Sequence, residues 1–338
     1  MTWSSTEPIL VEVVRGAMVE SRHCGSYAVV DAAGRVVLAQ GDIEHPVYAR
    51  SAIKPLQALP LIETGAAEHF GLGDREIALA CASHNGTAPV VAAVEAWLNR
   101  VGLTADDLEC GADQPIDAAA AQALVRAGQS PSALHHNCSG KHAGFLSAAR
   151  HCGEPIRGYI DAQHPVQRRV EATLASMTGL DLDHAPHGTD GCGIPVIGIP
   201  LAAMACAMAR MADPAGLASK RAAAARRILD AMAAEYQIVA GASRFTREVM
   251  RVAAAAVRLK PGAEGVACAA LPQHRLGVAL KVSDGAGRAA DVAMGALLVM
   301  LGAINEPQAA AIEAVLRPAI KNVAGNVVGE LRPVAAAF

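Results

Sequence analysis

The spacing of apolar positions divides the chain into strand-rich ends and a helix-rich middle. Near both ends, short β-branched runs are broken by glycine and aspartate turns, a pattern that predicts strands. Between them, alanine- and leucine-rich segments repeat at helical spacing and stop at glycine, proline or asparagine. The predicted strands are 9–14, 26–30, 35–39, 265–270 and 276–282. The predicted helices are 51–64, 75–82, 87–101, 117–127, 141–151, 161–179, 217–235, 290–301 and 307–316.

This order of elements predicts an α/β protein in which a sheet is flanked by helices and a mainly helical region is inserted. We expect a single two-lobed catalytic unit over residues 1–338. Residues 1–50 and 195–338 should form the sheet-containing lobe, and residues 51–194 the mainly helical lobe. The sequence contains no glycine-rich phosphate loop and no internal repeat.

Composition and charge narrow the range of partners. Hydrophobic residues make up 52% of the 338 residues and aromatic residues only 3%, so aliphatic side chains must form most of the core. The net charge is −3 without a basic or acidic run, which argues against nucleic acid or a membrane as partner. Residues 1–8 lack the basic and apolar regions of a secretory signal, and no apolar stretch is long enough to span a bilayer. A cytoplasmic location is therefore expected.

Ser51 and Lys54 are the first candidates for chemistry. They stand three residues apart, and Pro55 follows at once. Because proline is tolerated in the first turn of a helix, Ser51 should lie at a helix N-terminus with Lys54 one turn in, on the same face. A desolvated lysine can lose its proton and serve as general base for a serine hydroxyl. Alone, the spacing is more typical of a capping serine and a solvated lysine.

Two further fragments strengthen the catalytic interpretation. Ser83 and Asn85 form an S-x-N motif, and Lys260 and Gly262 form a K-x-G motif beside a predicted strand. Serine β-lactamases and penicillin-binding proteins combine S-x-x-K, S-D-N and K-T-G in this chain order. Each fragment alone would be read as a turn or a loop, but the three together indicate a serine–lysine hydrolase.

A cluster of polar residues suggests a metal site. The run His135-His-Asn-Cys-Ser-Gly-Lys-His142 opens a predicted helix, and Cys192 lies further on between two glycines. Most of the eight cysteines should be free thiols in a reducing compartment, but Cys138 and Cys192 suit zinc as thiolate ligands. The candidates for a third ligand are Lys141 and the histidines His135, His136, His142 and His187. Two alternatives remain open, namely a pair of buried thiols and a nucleophilic Cys138 at a helix N-terminus.

Taken together, five stretches resemble the thermolabile L-asparaginases, also called the Rhizobium etli-type or class 3 family. The matching stretches are Arg50-Ser-x-x-Lys-Pro-x-Gln57, Ala82-Ser-His-Asn-Gly86, His136-Asn-Cys-Ser-Gly-Lys-His-Ala-Gly-Phe-Leu146, Thr189-Asp-Gly-Cys-Gly-Ile-Pro195 and Lys260-Pro-Gly-Ala-Glu-Gly265. The resemblance implies a serine-β-lactamase-like fold, a homodimer, and hydrolysis of L-asparagine to L-aspartate and ammonia. It also implies two catalytic Ser–Lys pairs, Ser51 with Lys54 and Ser83 with Lys260.

The resemblance further implies a Zn²⁺ ion near the active site. Its ligands map onto Cys138, Lys141 and Cys192, and the metal is expected to orient the substrate rather than to deliver the attacking water. Metal-free protein should therefore keep some activity. Lys260 is the weakest match, since proline follows it in this chain.

The expected mechanism is a double displacement in which Ser51, deprotonated by Lys54, attacks the side-chain amide carbon. Ser83 and Lys260 would relay the proton, and the sequence leaves open whether Ser83 is instead the nucleophile. A free amino acid also needs its α-groups recognised. The candidates for the α-carboxylate are Arg50 and His84, and those for the α-ammonium are Asp190 and Glu264. Asn85 is a further candidate for substrate binding.

Two other functions stay open at this stage. A penicillin-recognising or other small-amide serine hydrolase of the same fold would use the same motifs, although no export signal is present. A non-catalytic metal-binding or scaffold protein would make the Ser–Lys pairs incidental. Glutamine is one methylene longer than asparagine, a difference worth about 1–3 kcal/mol, so weak glutaminase activity is compatible with the sequence.

Overall fold

The computed structural model describes residues 7–338. Residues 1–8 were predicted not to form a secretory signal, and residues 1–6 of this stretch lie outside the described residues. The strands are β1 (Ile9–Arg15), β2 (Met18–Asp31), β3 (Val36–Gln40), β4 (Pro46–Tyr48), β5 (His187–Thr189), β6 (Pro195–Pro200), β7 (Arg258–Pro261), β8 (Val266–Leu271), β9 (Leu276–Val282), β10 (Ala319–Lys321) and β11 (Val327–Pro333).

The helices are numbered separately, also in chain order. They are α1 (Lys54–Gln57), α2 (Leu59–Glu63), α3 (Ala66–His69), α4 (Asp74–Cys81), α5 (Ala88–Arg100), α6 (Ala118–Arg126), α7 (Ser139–Cys152), α8 (Pro165–Thr178), α9 (Leu201–Ala212), α10 (Ser219–Ala234), α11 (Tyr236–Ala240), α12 (Arg244–Val252), α13 (Gly287–Met300), α14 (Glu306–Ala311) and α15 (Glu313–Leu316). Short 3₁₀ turns lie at Arg50–Ile53, Ala105–Asp107, Ala133–His135, Pro214–Gly216 and Ala335–Ala337. Among residues 7–338, no helix combines the length and the apolar character needed to cross a membrane.

The chain divides into two compact units. Of the described residues, the first consists of 7–53, 198–216 and 244–338, and it holds the main sheet. Within the described residues this antiparallel sheet has the strand order β10-β11-β1-β2-β9-β8-β7, with β3 also paired to β2. All six residues of β8 are buried, which means that both faces of the sheet are covered. Helices α9 and α13 pack against it.

The second unit, residues 54–197 and 217–243, is mainly helical. Helix α7 is its central element, because every residue from Ser139 to Ala149 is buried. Two glycines on α7 determine how closely its neighbours approach. A Cβ at Gly140 would overlap the backbone carbonyl of Leu79 on α4, whereas a Cβ at Gly144 would meet side chains of α2, α4 and α5 at 3.5–3.7 Å. The first turn of α7 therefore lies directly against the end of α4.

The predicted α/β class is confirmed, and each predicted strand coincides with an observed one. The strands β7 and β11 were missed because charged residues such as Arg258 and Glu330 interrupt their apolar pattern. The division of the chain also differs from the expected boundaries. Residues 51–53, which include Ser51, lie in the first unit, and residues 195–197 lie in the second. Residues 217–243 were expected in the sheet-containing lobe, yet α10 packs against α2 and α4, and Arg221 pairs with Glu63.

The predicted helix over 51–64 is broken into three pieces. A 3₁₀ turn ends at Ile53, α1 begins at Lys54, and α2 follows after Ala58. Pro55 and Pro60 lack the backbone N–H that a continuous helix needs, which explains both interruptions. Lys54 therefore starts an α-helix and does not lie one turn inside it.

Alanine substitutions at the two α7 glycines should distinguish the effect of close packing on stability from the effect of helix propensity. Gly140→Ala should lower the free energy of unfolding by about 1–3 kcal/mol, because the new methyl group meets the rigid backbone of α4. Gly144→Ala is the matched control on the same helix. Its methyl group has ordinary contact distances, and alanine favours the helix by about 0.5–1 kcal/mol, so stability should be kept or raised. Urea unfolding of both variants measures the difference, and equal effects would contradict the packing argument.

Candidate active site

The Ser83 hydroxyl lies in an extended segment directly after α4. Ala82, the first residue beyond the helix, has a ψ of 153°. The backbone N–H of His84 donates to the carbonyl oxygen of Asn137 at 3.1 Å and so ties the segment to the residues before α7. On another side, a Cβ at Gly241 would overlap the Ser83 carbonyl oxygen. Ser83 is thus confined by backbone contacts from two directions.

Lys54 supplies the amine that contacts Ser83. Its side chain is fully buried, and Nζ donates to Ser83 Oγ at 3.0 Å and to the carbonyl oxygen of Ala82. Burial lowers the pKa of Lys54 below 10.5, an effect that the negative charge of Cys138 opposes and the positive charge of Lys141 reinforces. Desolvation thus favours the neutral amine, which is the form able to take a proton from a hydroxyl.

Two thiols and a second lysine lie beside this pair. Lys141 Nζ donates to Cys192 Sγ at 3.0 Å, and both residues are buried. A hydrogen bond from Cys192 holds the pKa of Cys138 well below its ordinary range, although burial opposes this, and the charges of Lys54 and Lys141 act in the same direction. Burial disfavours the charge on Lys141, but the nearby Cys138 leaves the pKa of Lys141 raised. The arrangement therefore favours a Cys138 thiolate between two lysines.

The donor set of Cys138, Lys141 and Cys192 fits a zinc ion. Two sulfur atoms and one nitrogen atom are ligand types that zinc accepts, and three protein ligands leave a fourth position open. Binding would require both thiols and the lysine amine to be deprotonated. In the described part of the chain, no group of three or more His, Cys, Asp and Glu side chains could hold a metal, so a site here depends on Lys141.

The histidines considered as third ligands have hydrogen-bond partners of their own. His135 Nδ1 accepts from the Ser132 N–H, His136 Nδ1 accepts from the Cys138 N–H, His142 Nδ1 contacts Tyr159 Oη, and His187 Nδ1 donates to the Ala185 carbonyl. His136 also lies beside the Cys138 thiol and helps to lower its pKa. Lys141, with Nζ 3.0 Å from Cys192 Sγ, is a third donor in contact with one of the two thiols.

Asp190 is tied to the same cluster through a tight turn. Cys192 Sγ lies 3.2 Å from Asp190 Oδ2. Gly193 has a φ of +88°, which a residue with a Cβ rarely adopts, and its N–H donates to the Asp190 carbonyl at 2.9 Å. The glycine thereby turns Cys192 back toward Lys141.

His84 and Asn85, expected at the substrate, both have internal partners. His84 Nε2 lies 2.7 Å from Ser139 Oγ, and Nδ1 accepts the Gly86 N–H at 3.2 Å. Burial, followed by the charge of Lys54, lowers the pKa of His84 to about 3. Asn85 Oδ1 accepts from the backbone and hydroxyl of Thr87 at the start of α5. A neutral imidazole offers no positive charge to a carboxylate.

In the sheet-containing unit, Ser51 lies in the 3₁₀ turn that packs against β7 and β8. Arg50 has a φ of +49°, a left-handed conformation that is uncommon for a residue with a side chain. A Cβ at Gly262 would lie 3.0 Å from the Ala49 carbonyl oxygen and 3.1 Å from the Ala52 nitrogen. The glycine of the K-x-G motif therefore allows close approach between β7 and the turn that carries Ser51.

Lys260 and Glu264 lie at the end of that same strand and in the loop after it. Lys260 is fully buried, with Nζ donating to the Pro261 carbonyl at 2.7 Å. Glu264 has a φ of +58°, and Lys281 on β9 donates to its carbonyl at 2.7 Å. Lys281 was not singled out from the sequence, since a single lysine in an apolar strand carries no motif.

The sequence matches the family described as L-asparaginase II over residues 11–333. The chain belongs to this family. Comparison with curated proteins gives no significant match. Among solved structures forty chains match, including a β-lactamase from Mycobacterium bovis with 14% identity and a TM-score of 0.43, where the alignment covers 82% of this chain and 94% of that one.

Membership of the L-asparaginase II family confirms the resemblance stated from the motifs and supports an amidohydrolase. The helical unit of this family member gathers Lys54, Ser83, Cys138, Lys141 and Cys192, and the sheet-containing unit gathers Ser51 with the Lys260 loop. Sequence reasoning missed Ser139, although it stands inside the polar run 135–142.

The neutral state of His84 can be tested directly. Because burial disfavours the imidazolium and holds the pKa near 3, the ring should stay neutral from pH 8 down to pH 5, with its proton on Nε2. Nitrogen-15 NMR of histidine-labelled protein, with the signal assigned by its absence in His84→Asn, measures both the tautomer and the titration. A midpoint between pH 5 and pH 8 would contradict the assignment.

Proposed function

We propose that this L-asparaginase II family member hydrolyses L-asparagine to L-aspartate and ammonia through a serine nucleophile activated by Lys54. The observation that supports this most is the hydrogen bond between Lys54 Nζ and Ser83 Oγ at 3.0 Å. A fully buried lysine with a lowered pKa, in contact with a hydroxyl group, has the properties of a general base. Family membership supplies the substrate class.

In the proposed reaction, Ser51 is the nucleophile and stands three residues before Lys54. The amine takes the Ser51 proton as Oγ attacks the side-chain amide carbon. The resulting ammonium passes a proton through the Ser83 hydroxyl to the departing nitrogen, so that the C–N bond breaks and ammonia leaves. Water, deprotonated by the same relay, then attacks the ester and releases L-aspartate with regeneration of the Ser51 hydroxyl. Lys260 is proposed as a second lysine of this relay.

Recognition of the α-groups is assigned by charge. Arg50 remains the proposed partner of the α-carboxylate, since His84 is held neutral by its surroundings. Glu264 and Asp190 are proposed for the α-ammonium, although Asp190 also lies in contact with Cys192. Asn85 is proposed to contact the substrate through its amide nitrogen, because its Oδ1 accepts from Thr87. Glutamine differs by one methylene group, so weak turnover of glutamine is compatible with this site.

A zinc ion would be held by Cys138, Lys141 and Cys192, whose donor atoms fit that metal. When bound, the ion would supply a Lewis-acidic centre that orients the substrate. The negative charge of Cys138 acts on the Lys54 amine and limits the fall of the Lys54 pKa. The homodimer and the cytoplasmic location stay predictions.

The nucleophile can be identified by covalent labelling. A diazoketone analogue of L-asparagine should add one equivalent to the protein, and peptide mass mapping should locate it on Ser51. Lys54→Met should keep its fold but react and release ammonia at least about 100-fold more slowly, because the hydroxyl loses its base. A label on Ser83 would transfer the nucleophile role to that residue, and full activity of Lys54→Met would refute the mechanism.

The metal assignment is tested by zinc content together with kinetics. Cys138→Ser and Cys192→Ser should each lose bound zinc by elemental analysis and raise KM more than they lower kcat. Cys206→Ser, which removes a buried thiol from α9 in the sheet-containing unit, is the control and should keep both zinc and KM. Equal zinc content in all three variants would rule out these ligands.

A further inference from the structure

Two hydrogen bonds connect His84, the residue after Ser83, to the segment at the start of α7, and two more fix the ends of this connection. The His84 backbone N–H donates to the Asn137 carbonyl at 3.1 Å, and its ring lies 2.7 Å from Ser139 Oγ. Ser139 Oγ also contacts the Leu134 carbonyl at 3.0 Å, and His84 Nδ1 contacts the Gly86 N–H at 3.2 Å. Both side chains are almost completely buried, with 1% exposure for His84 and 0% for Ser139.

The directions of these bonds follow from the backbone groups at each end. The Gly86 N–H can only donate, so His84 Nδ1 accepts and the ring proton resides on Nε2. The Leu134 carbonyl can only accept, so the Ser139 hydroxyl donates to it and accepts from Nε2. Each donor and acceptor in the chain of contacts is therefore used once, with the imidazole neutral.

The contacts leave Ser83 little freedom. Lys54 donates to the Ser83 hydroxyl and to the carbonyl oxygen of Ala82. The backbone at Gly241 lies close to the Ser83 carbonyl oxygen. The next residue, His84, is bonded through its ring to Ser139 on α7. A shift of the His84 ring would move the Ser83 backbone relative to the Lys54 amine. Displacements of about 1 Å in such arrangements can cost about 100-fold in rate.

We propose that His84 and Ser139 act as a positioning pair, in which a neutral imidazole braced by a buried serine holds the Ser83 hydroxyl against Lys54. His84 then takes no part in binding the substrate carboxylate. This inference rests on the proposed function, because it concerns the geometry of that relay.

The chain offers a matched control on the same helix. Ser147 is also fully buried on α7, donates to a backbone carbonyl at 2.7 Å and accepts from a ring N–H, that of Trp97, at 3.0 Å. Ser139→Ala and Ser147→Ala thus remove the same type of buried hydroxyl with the same pattern of bonds. Ser139→Ala removes the partner of the His84 ring, next to Ser83, whereas Ser147→Ala removes the partner of the Trp97 ring.

The rate of ammonia release from L-asparagine should differ between Ser139→Ala and Ser147→Ala. Ser139→Ala should lower kcat about 10- to 100-fold with KM changed less than about twofold, whereas Ser147→Ala should keep kcat within about twofold. Both should lower the melting temperature to a similar extent. The kcat values are expressed per folded molecule, as measured by near-ultraviolet circular dichroism.

Two His84 variants carry the same test if Ser139→Ala does not fold. A glutamine amide reaches the position of Nε2 and can donate to Ser139, while an asparagine amide reaches only the position of Nδ1. His84→Gln should therefore retain most of kcat, and His84→Asn should lose as much as Ser139→Ala.

Several outcomes would overturn the positioning pair. Equal kcat for Ser139→Ala and Ser147→Ala would remove the role of Ser139. A large rise in KM with unchanged kcat in both His84 variants would make His84 a substrate ligand. Wild-type protein that releases no ammonia from L-asparagine would instead overturn the proposed function, which is a distinct result because it needs no variant.

Discussion

The close approach of α7 to α4 determines the geometry of the helical unit. Because Gly140 has no side chain, the first turn of α7 lies against the backbone of Leu79 near the end of α4. The segments that continue from these two helix ends are thereby neighbours, and they carry Ser83 and Cys138. The close contact between Gly140 and Leu79 therefore brings together reactive side chains that are far apart in the sequence.

Around this contact the protein buries several groups that would each be unfavourable alone. A buried ammonium or thiolate is costly to desolvate unless an opposite charge or hydrogen bonds compensate. Here the Cys138 thiolate lies near Lys54 and Lys141, and Cys192 donates to it. The same compensation makes the cluster suitable for chemistry, because Lys54 keeps a lowered pKa while its position is fixed by hydrogen bonds.

The sequence predicted the class of the fold and most of the chemical groups, but it was less informative about their partners. Short apolar, β-branched runs located β1, β2, β8 and β9, because the predicted segments of these strands are mostly buried. β11 is half-exposed and polar, and it is recognised as a strand only through its pairing with β1. Prolines were read as helix starts, yet Pro60 also interrupts the helix after α1.

At the site, motif spacing identified Lys54 and Ser83 but assigned them to different pairs. Their contact is tertiary, between the start of α1 and the end of α4, and no local rule of spacing predicts it. From the sequence, His84 was a candidate for binding the substrate α-carboxylate. Its burial and its bond to Ser139, which depend on the packing of α7, favour a neutral ring.

The scarcity of aromatic residues gives the protein a built-in spectroscopic label. Of the two tryptophans, Trp97 is the one within the described residues, fully buried on α5 with its indole bonded to Ser147. Its emission should therefore shift to longer wavelength when the helical unit opens to water. Tyr27, buried on β2 and stacked on Phe338, lies instead in the sheet-containing unit. Because Tyr159 and Tyr236 lie in the helical unit, tyrosine signals report on both units, whereas the emission of Trp97 in a Trp3→Phe variant would report on the helical unit alone.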